Sequence, residues 1–151
     1  MVMNTKEFVT TLDDARISKA IAEAEKRTSG EIRVYVTDEK PRDILATAEK
    51  AFVKLGMAAT AQRNAVLIYF APAMRAYAIY GDKGIHEKCG QNFWEHISAG
   101  MKPLLAEGKC TESIIYAVRE VGEALSKNFP WQAGDRNELP NDVIRDPKKD
   151  E

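Results

Sequence analysis

Cysteine is scarce in this sequence. Cys89 and Cys110 are the only two among 151 residues, and neither belongs to a Cys-x-x-Cys pair. Zinc sites of the common spacing are therefore excluded, and two reduced, partly buried thiols are expected. Long apolar runs are missing too. The longest, Ala65 to Met74, is interrupted by Pro72 and is half the ~20 residues that a membrane span requires. The amino-terminal MVMNTKEF has no apolar signal region. The expectation is a cytoplasmic chain with no membrane insertion. A charge excess of one sign is also absent: 22 Lys plus Arg face 23 Asp plus Glu. No nucleic-acid partner is expected, because binding phosphates rests on a basic face.

Catalytic signatures are equally thin. There is no GxSxG elbow, no HExxH and no P-loop. Gly81, Gly84 and Gly90 do not form a dinucleotide fingerprint. Cys89 has Glu95, and Cys110 has Tyr116, where a cysteine phosphatase loop needs Arg. His86 and His96 are nearly three helical turns apart, ~15 Å, too far to share an ion.

What is present is an ordinary globular composition, 44% hydrophobic and 30% charged, at a length that suits one core. One domain is expected over 1–130, with a carboxyl-terminal tail over 131–151 that is at least partly disordered from Asp146 onward. Asn4 reads as the cap of a short helix, Thr5 to Thr10. Ile17, Ala20, Ile21 and Ala24 then mark one face of a helix from Leu12 to Arg27. Glu31 to Asp38 alternates with period two, a strand with one face buried and the other polar or half-covered. Leu45, Ala48, Phe52 and Leu55 stripe a helix over 42–55. Asn64 to Ala71 is apolar without alternation, which predicts a strand covered on both faces. Pro72 turns the chain into a third strand, Arg75 to Tyr80. A helical region follows from Ile85 to Glu107, with Phe93, Trp94, Ile97 and Met101 inward and a kink or break expected at Pro103. The last helix is Thr111 to Lys127.

This order predicts an α/β fold: a three-layer α/β/α sandwich with a small mixed sheet of three or four strands and helices on both faces. The first two strands are parallel through a helical crossover, and the third returns antiparallel. TSGE, QRN and GDKG then meet at one sheet edge. There Glu31 and Asp82 offer two carboxylates and Asn64 a neutral oxygen, hard ligands suited to Ca²⁺ or Mg²⁺. Arg63, Lys83 and Ser29 are candidate anion or supporting groups, and the turn at Gly84 offers backbone N–H groups. The same residues also fit a structural role, with Asp82 a helix cap and Arg63 the ion-pair partner of Glu31 or Asp82. Asp38 and Asp43 form a competing site at the opposite edge.

The stretches TSGEIRVYV, QRNAVLIYFAP, AIYGDKGIHEKCGQNFW and the trailing NELP resemble the TPM domain family. That family includes a plant thylakoid-lumen protein of photosystem II repair, a cyanobacterial relative and a nematode receptor modulator. The resemblance covers roughly Phe8 to Phe129 and is strongest to short bacterial members. It implies a Rossmann-like sandwich, divalent-cation binding in an acidic depression and, in the plant branch, weak acid-phosphatase activity. It carries cation-ligand roles onto Asp82 of GDKG and Glu31 of TSGE. Bacterial relatives often occur beside a LemA-type membrane protein, which is the partner the resemblance implies. The expected function is a cation-binding interaction or assembly-support module. The alternative is a weak metal-assisted phosphomonoester hydrolase, in which the ion activates water without a protein nucleophile. A purely structural domain is the third reading.

Overall fold

A computed structural model describes residues 12–74, 76–131, 141 and 143–146. The helix expected at Thr5 to Thr10 and the NELP motif lie outside the described residues. Five helices and four strands follow in the order α1 (Asp14–Glu25), β1 (Glu31–Val36), α2 (Ile44–Lys54), β2 (Ala65–Ala71), β3 (Ala76–Gly81), α3 (Lys83–Cys89), α4 (Gln91–Ala106), α5 (Cys110–Asn128) and β4 (Ile144–Arg145). Asp13 and Asp43 begin α1 and α2, each accepting a backbone N–H three residues on, from Arg16 and Ala46 at 3.1 Å.

All seven residues of β2 are buried. Such a strand has no solvent side, and the chain supplies a layer for each face. β1 lies parallel to β2, from Glu31 opposite Ala65 to Val36 opposite Phe70, and β3 returns antiparallel on the other side. The sheet order is β3-β2-β1-β4, with β2 inside as its composition predicts. Ile32, Val34, Val36, Val66, Ile68 and Phe70 face α1, α3, α4 and α5. Ala65, Leu67, Tyr69 and Ala78 face α2 through Ala48 and Phe52. The expected α/β/α sandwich is what the chain forms.

Three details differ from expectation. The polar face of β1 is more covered than expected: Glu31 and Arg33 are buried, and Tyr35, half-buried, stacks on Tyr69 with ring centres 5.1 Å apart. The break in the long helical region is at Gly90, not Pro103. Gly90 takes a left-handed φ of 77° that turns α3 into α4, whereas Pro103 is held within α4, which runs on to Ala106. Asp146, read as the start of a disordered stretch, follows a short strand. β4 pairs parallel with Tyr35 and Val36, and Arg145 reaches Asp14 at 3.1 Å.

Trp94 anchors the four-helix side. It is buried, its ring occupies the space a side chain at Gly81 would need, and its indole N–H donates to His86 Nδ1 at 3.0 Å. Trp94→Ala is expected to cost ~3–5 kcal/mol in chemical denaturation, the range for a buried large aromatic. A melt unchanged by that substitution would make the ring a surface platform instead.

Candidate functional site

Glu31 and Asp82 both stand level with Ala65. Glu31 is its register partner on β1, and the Asp82 N–H donates to the Ala65 carbonyl at 2.9 Å from the β3 side. TSGE, QRN and GDKG do meet at one edge. What they build there is a set of braces. Arg63, in a left-handed conformation, grips Asp82 with two hydrogen bonds, Nε to Oδ2 at 2.6 Å and Nη2 to Oδ1 at 2.9 Å. Oδ1 also accepts the Lys83 N–H at 2.8 Å as α3 begins. Both Asp82 oxygens are thus engaged by cationic or backbone donors.

The glycines explain the close fit. The Gly84 N–H donates to the Arg63 carbonyl at 2.8 Å, and a Cβ at Gly84 would sit 2.3 Å from the Gln62 carbonyl oxygen. The same edge closes α5. The Thr28 hydroxyl lies within hydrogen-bond reach of the Leu125 carbonyl at 3.1 Å and of the Phe129 carbonyl, which also accept the Phe129 and Ser29 N–H groups. A Cβ at Gly30 would meet Leu125 at 2.7 Å. Asn64, buried, donates its side-chain N–H to Ser29 Oγ at 3.1 Å. Lys83 is exposed.

Glu31 does not join Asp82. Its carboxyl meets that of Glu25, the last residue of α1, whose Oε2 accepts the Ile32 N–H at 2.8 Å. Burial, and then the adjacent Glu31 carboxyl, push Glu25 up to about 9, against the pull of the Ile32 N–H and Arg33. Glu25 therefore keeps its proton at neutral pH, with the Glu31 carboxyl beside it.

The opposite edge holds a second carboxyl pair. Asp146 Oδ2 accepts from the Thr37 hydroxyl and from the Asp38 N–H, each at 2.8 Å, and Oδ1 accepts from the Tyr35 hydroxyl at 2.8 Å. The Asp38 carboxyl, itself exposed, lies against Asp146, whose hydrogen bond and charge raise its pKa. Burial pushes Asp146 up. The hydrogen bonds from Asp38, Tyr35 and Thr37 outweigh it, and Asp146 lies below the ordinary carboxylate value. Asp43 is occupied as the cap of α2. Among the described residues, no three His, Cys, Asp or Glu side chains gather as a metal cluster. His86 and His96 are exposed, and Cys89 and Cys110 are unbridged. Glu25 and Asp146 are the residues that sequence reading missed.

The Glu25 pair gives stability a definite pH dependence. Glu25 is raised from an ordinary 4.5 to about 9 in the folded chain, so the folded state holds a proton that the unfolded state has lost. The linked stabilisation is full below about pH 4.5 and disappears as pH rises toward 9. Glu25→Gln keeps an acceptor for the Ile32 N–H and cannot ionise. It should flatten the fall in melting temperature over that interval, measured by thermal denaturation against pH.

The comparisons with known proteins agree with this architecture. No curated protein matches the chain. No helix among the described residues is long and apolar enough to cross a membrane. Among solved structures, the chain is similar to the BA42 protein of the psychrophilic bacterium Bizionia argentinensis, solved by NMR. The two are 34% identical, the match covers 90% of this chain and 96% of that one, and the TM-score is 0.83. The family model for the TPM domain matches residues 2–124, and the chain belongs to the TPM domain family.

Proposed function

We propose that this TPM domain binds a divalent cation, Ca²⁺ or Mg²⁺, through Asp38 and Asp146, and acts as an interaction or assembly-support module. The observation that carries this reading is the contact between those two carboxyls, one of them open to solvent. Like carboxyls held together favour a proton or a cation between them, and oxygen-only donors suit hard ions. Location supports it as well. Open α/β sheets take ligands beyond the carboxyl ends of their strands, where the strand order diverges. β2 and β4 lie on either side of β1, and Asp38 and Asp146 follow the ends of β1 and β4. The amino-terminal edge fits an ion less well, because the Arg63 guanidinium and the α3 backbone engage Asp82, and Glu31 faces Glu25 instead of Asp82.

The ion would neutralise the carboxyl pair and fasten β4 to β1, so that cation level governs the surface around β4. Two protein carboxylates leave most ligand positions to water. Affinity near ~10⁻⁴–10⁻³ M is expected, the range of weak oxygen-ligand modules. A LemA-type membrane protein is the partner to test, on the strength of the family resemblance.

NMR titration with Ca²⁺ and Mg²⁺, with and without a phosphomonoester, tests the reading. Amides around Thr37, Asp38 and Asp146 should shift, Asp38→Asn should remove the shifts, and Asp82→Asn should leave them. The reverse pattern would move the ion to Glu31, Asp82 and Asn64. Release of phosphate from the monoester would favour the hydrolase. No shift at ~10 mM cation, above the weakest such sites, would end the cation reading.

A further inference from the structure

β3 is an outer strand of the sheet. The Asp82 N–H bonds inward to Ala65, and in an antiparallel ladder residues two apart bond to the same neighbour. Tyr80, Ala78 and Ala76 therefore turn their backbone groups toward β2. Tyr77, Ile79 and Gly81 turn theirs outward, and no described residue bonds to them there. Exposed edges are normally blunted by charge or proline, and the strand, AYAIYG, has neither.

A separate observation falls at the same edge. Leu45 is 53% exposed, Val53 64% and Met74 39%; with Trp131 these are the large hydrophobic residues left exposed among the described residues. Leu45, Glu49 and Val53 lie four apart, on one stripe of α2. α2 rests chiefly on β3, and after burial it is the Glu49 carboxylate that most raises Tyr80. The stripe thus flanks β3, and Met74 precedes the strand.

We infer that this edge is a self-association surface, on which a second copy of the chain adds its own β3 antiparallel across a two-fold axis near Ile79. In that register Ile79 faces its own counterpart and Tyr77 faces Gly81 of the partner subunit. All three outward residues find donors and acceptors, about six hydrogen bonds in all. The axis is perpendicular to the sheet and brings the two α2 helices together on one face, Leu45 toward Val53 of the partner subunit. Glu49, the centre of the stripe, lies near Tyr80, one residue from the axis, so the same two-fold relates strand edge and stripe. An unrelated extended peptide would pair with β3 but leave Leu45 and Val53 uncovered. Two Glu49 carboxylates flank the axis, so the association is weak and concentration-dependent.

Sedimentation equilibrium of the full chain from about 10 µM to about 1 mM, with amide hydrogen exchange at both ends of that range, reads the association directly. Dimer should accumulate with concentration. The Tyr77, Ile79 and Gly81 amides should slow with it, while those of Ala78 and Tyr80, already bonded to β2, stay constant. Val53→Glu, a change at an exposed site, should weaken association at least tenfold at an unchanged melting temperature. A chain still monomeric at ~1 mM, a dimer in which those three amides are unprotected, or a dimer indifferent to Val53→Glu would each overturn the inference.

Discussion

A strand with no face to water obliges a protein to build a layer on each side of it, and the rest of this fold follows from that demand. β2 is buried along its whole length. The crossover from β1 to β2 supplies α2 on one face, and the remaining four helices fill the other. A parallel crossover brings like ends of β1 and β2 together. The polar residues that begin and follow β1 are thereby sorted to opposite rims: Glu31 with Asn64 and Asp82 at one, Asp38 at the other.

Much of this was legible because it is written in short-range periodicity. Ile32, Val34 and Val36 alternate, Ala65 to Phe70 do not, and Pro72 marks the turn between two strands. The misjudged features depend on information that local pattern lacks. Pro103 is the stronger breaking signal on paper, yet it lies where a helix is ending. Gly90 breaks the region because the packing of α3 and α4 needs a left-handed residue there. β4 is two residues long, and its only partner among the described residues is a strand far back in the chain.

The site was legible to the level of which loops meet, and no further. Topology alone brought TSGE, QRN and GDKG to one edge; there Asp82 caps α3, and of the two carboxylates open to Arg63 it is Asp82, not Glu31, that Arg63 grips. Which polar group satisfies which other is a matter of a few tenths of an ångström, and spacing in sequence does not carry it. Glu25 ends a helix that reads simply as amphipathic, and nothing in its neighbours marks it as the partner of Glu31. The glycines of the braces tell the same story. Gly30 and Gly84 stand where another element's side chain or backbone occupies the position of a Cβ, a reason that only packing reveals.

The bond from Tyr35 to Asp146 spans 111 residues. Segments so far apart meet only after a long loop has closed, and contacts of high sequence separation form slowly. During synthesis β1, β2 and β3 emerge and can pair well before Asp146 exists, while the Asp38 N–H and the hydroxyls of Tyr35 and Thr37 wait for their acceptor. A chain cut short ahead of Val143 would carry three strands and a rim of unanswered donors. The carboxylate of Asp146 thus separates a finished sheet from an interrupted one, and quality control that senses exposed sheet edges would meet the two as different molecules.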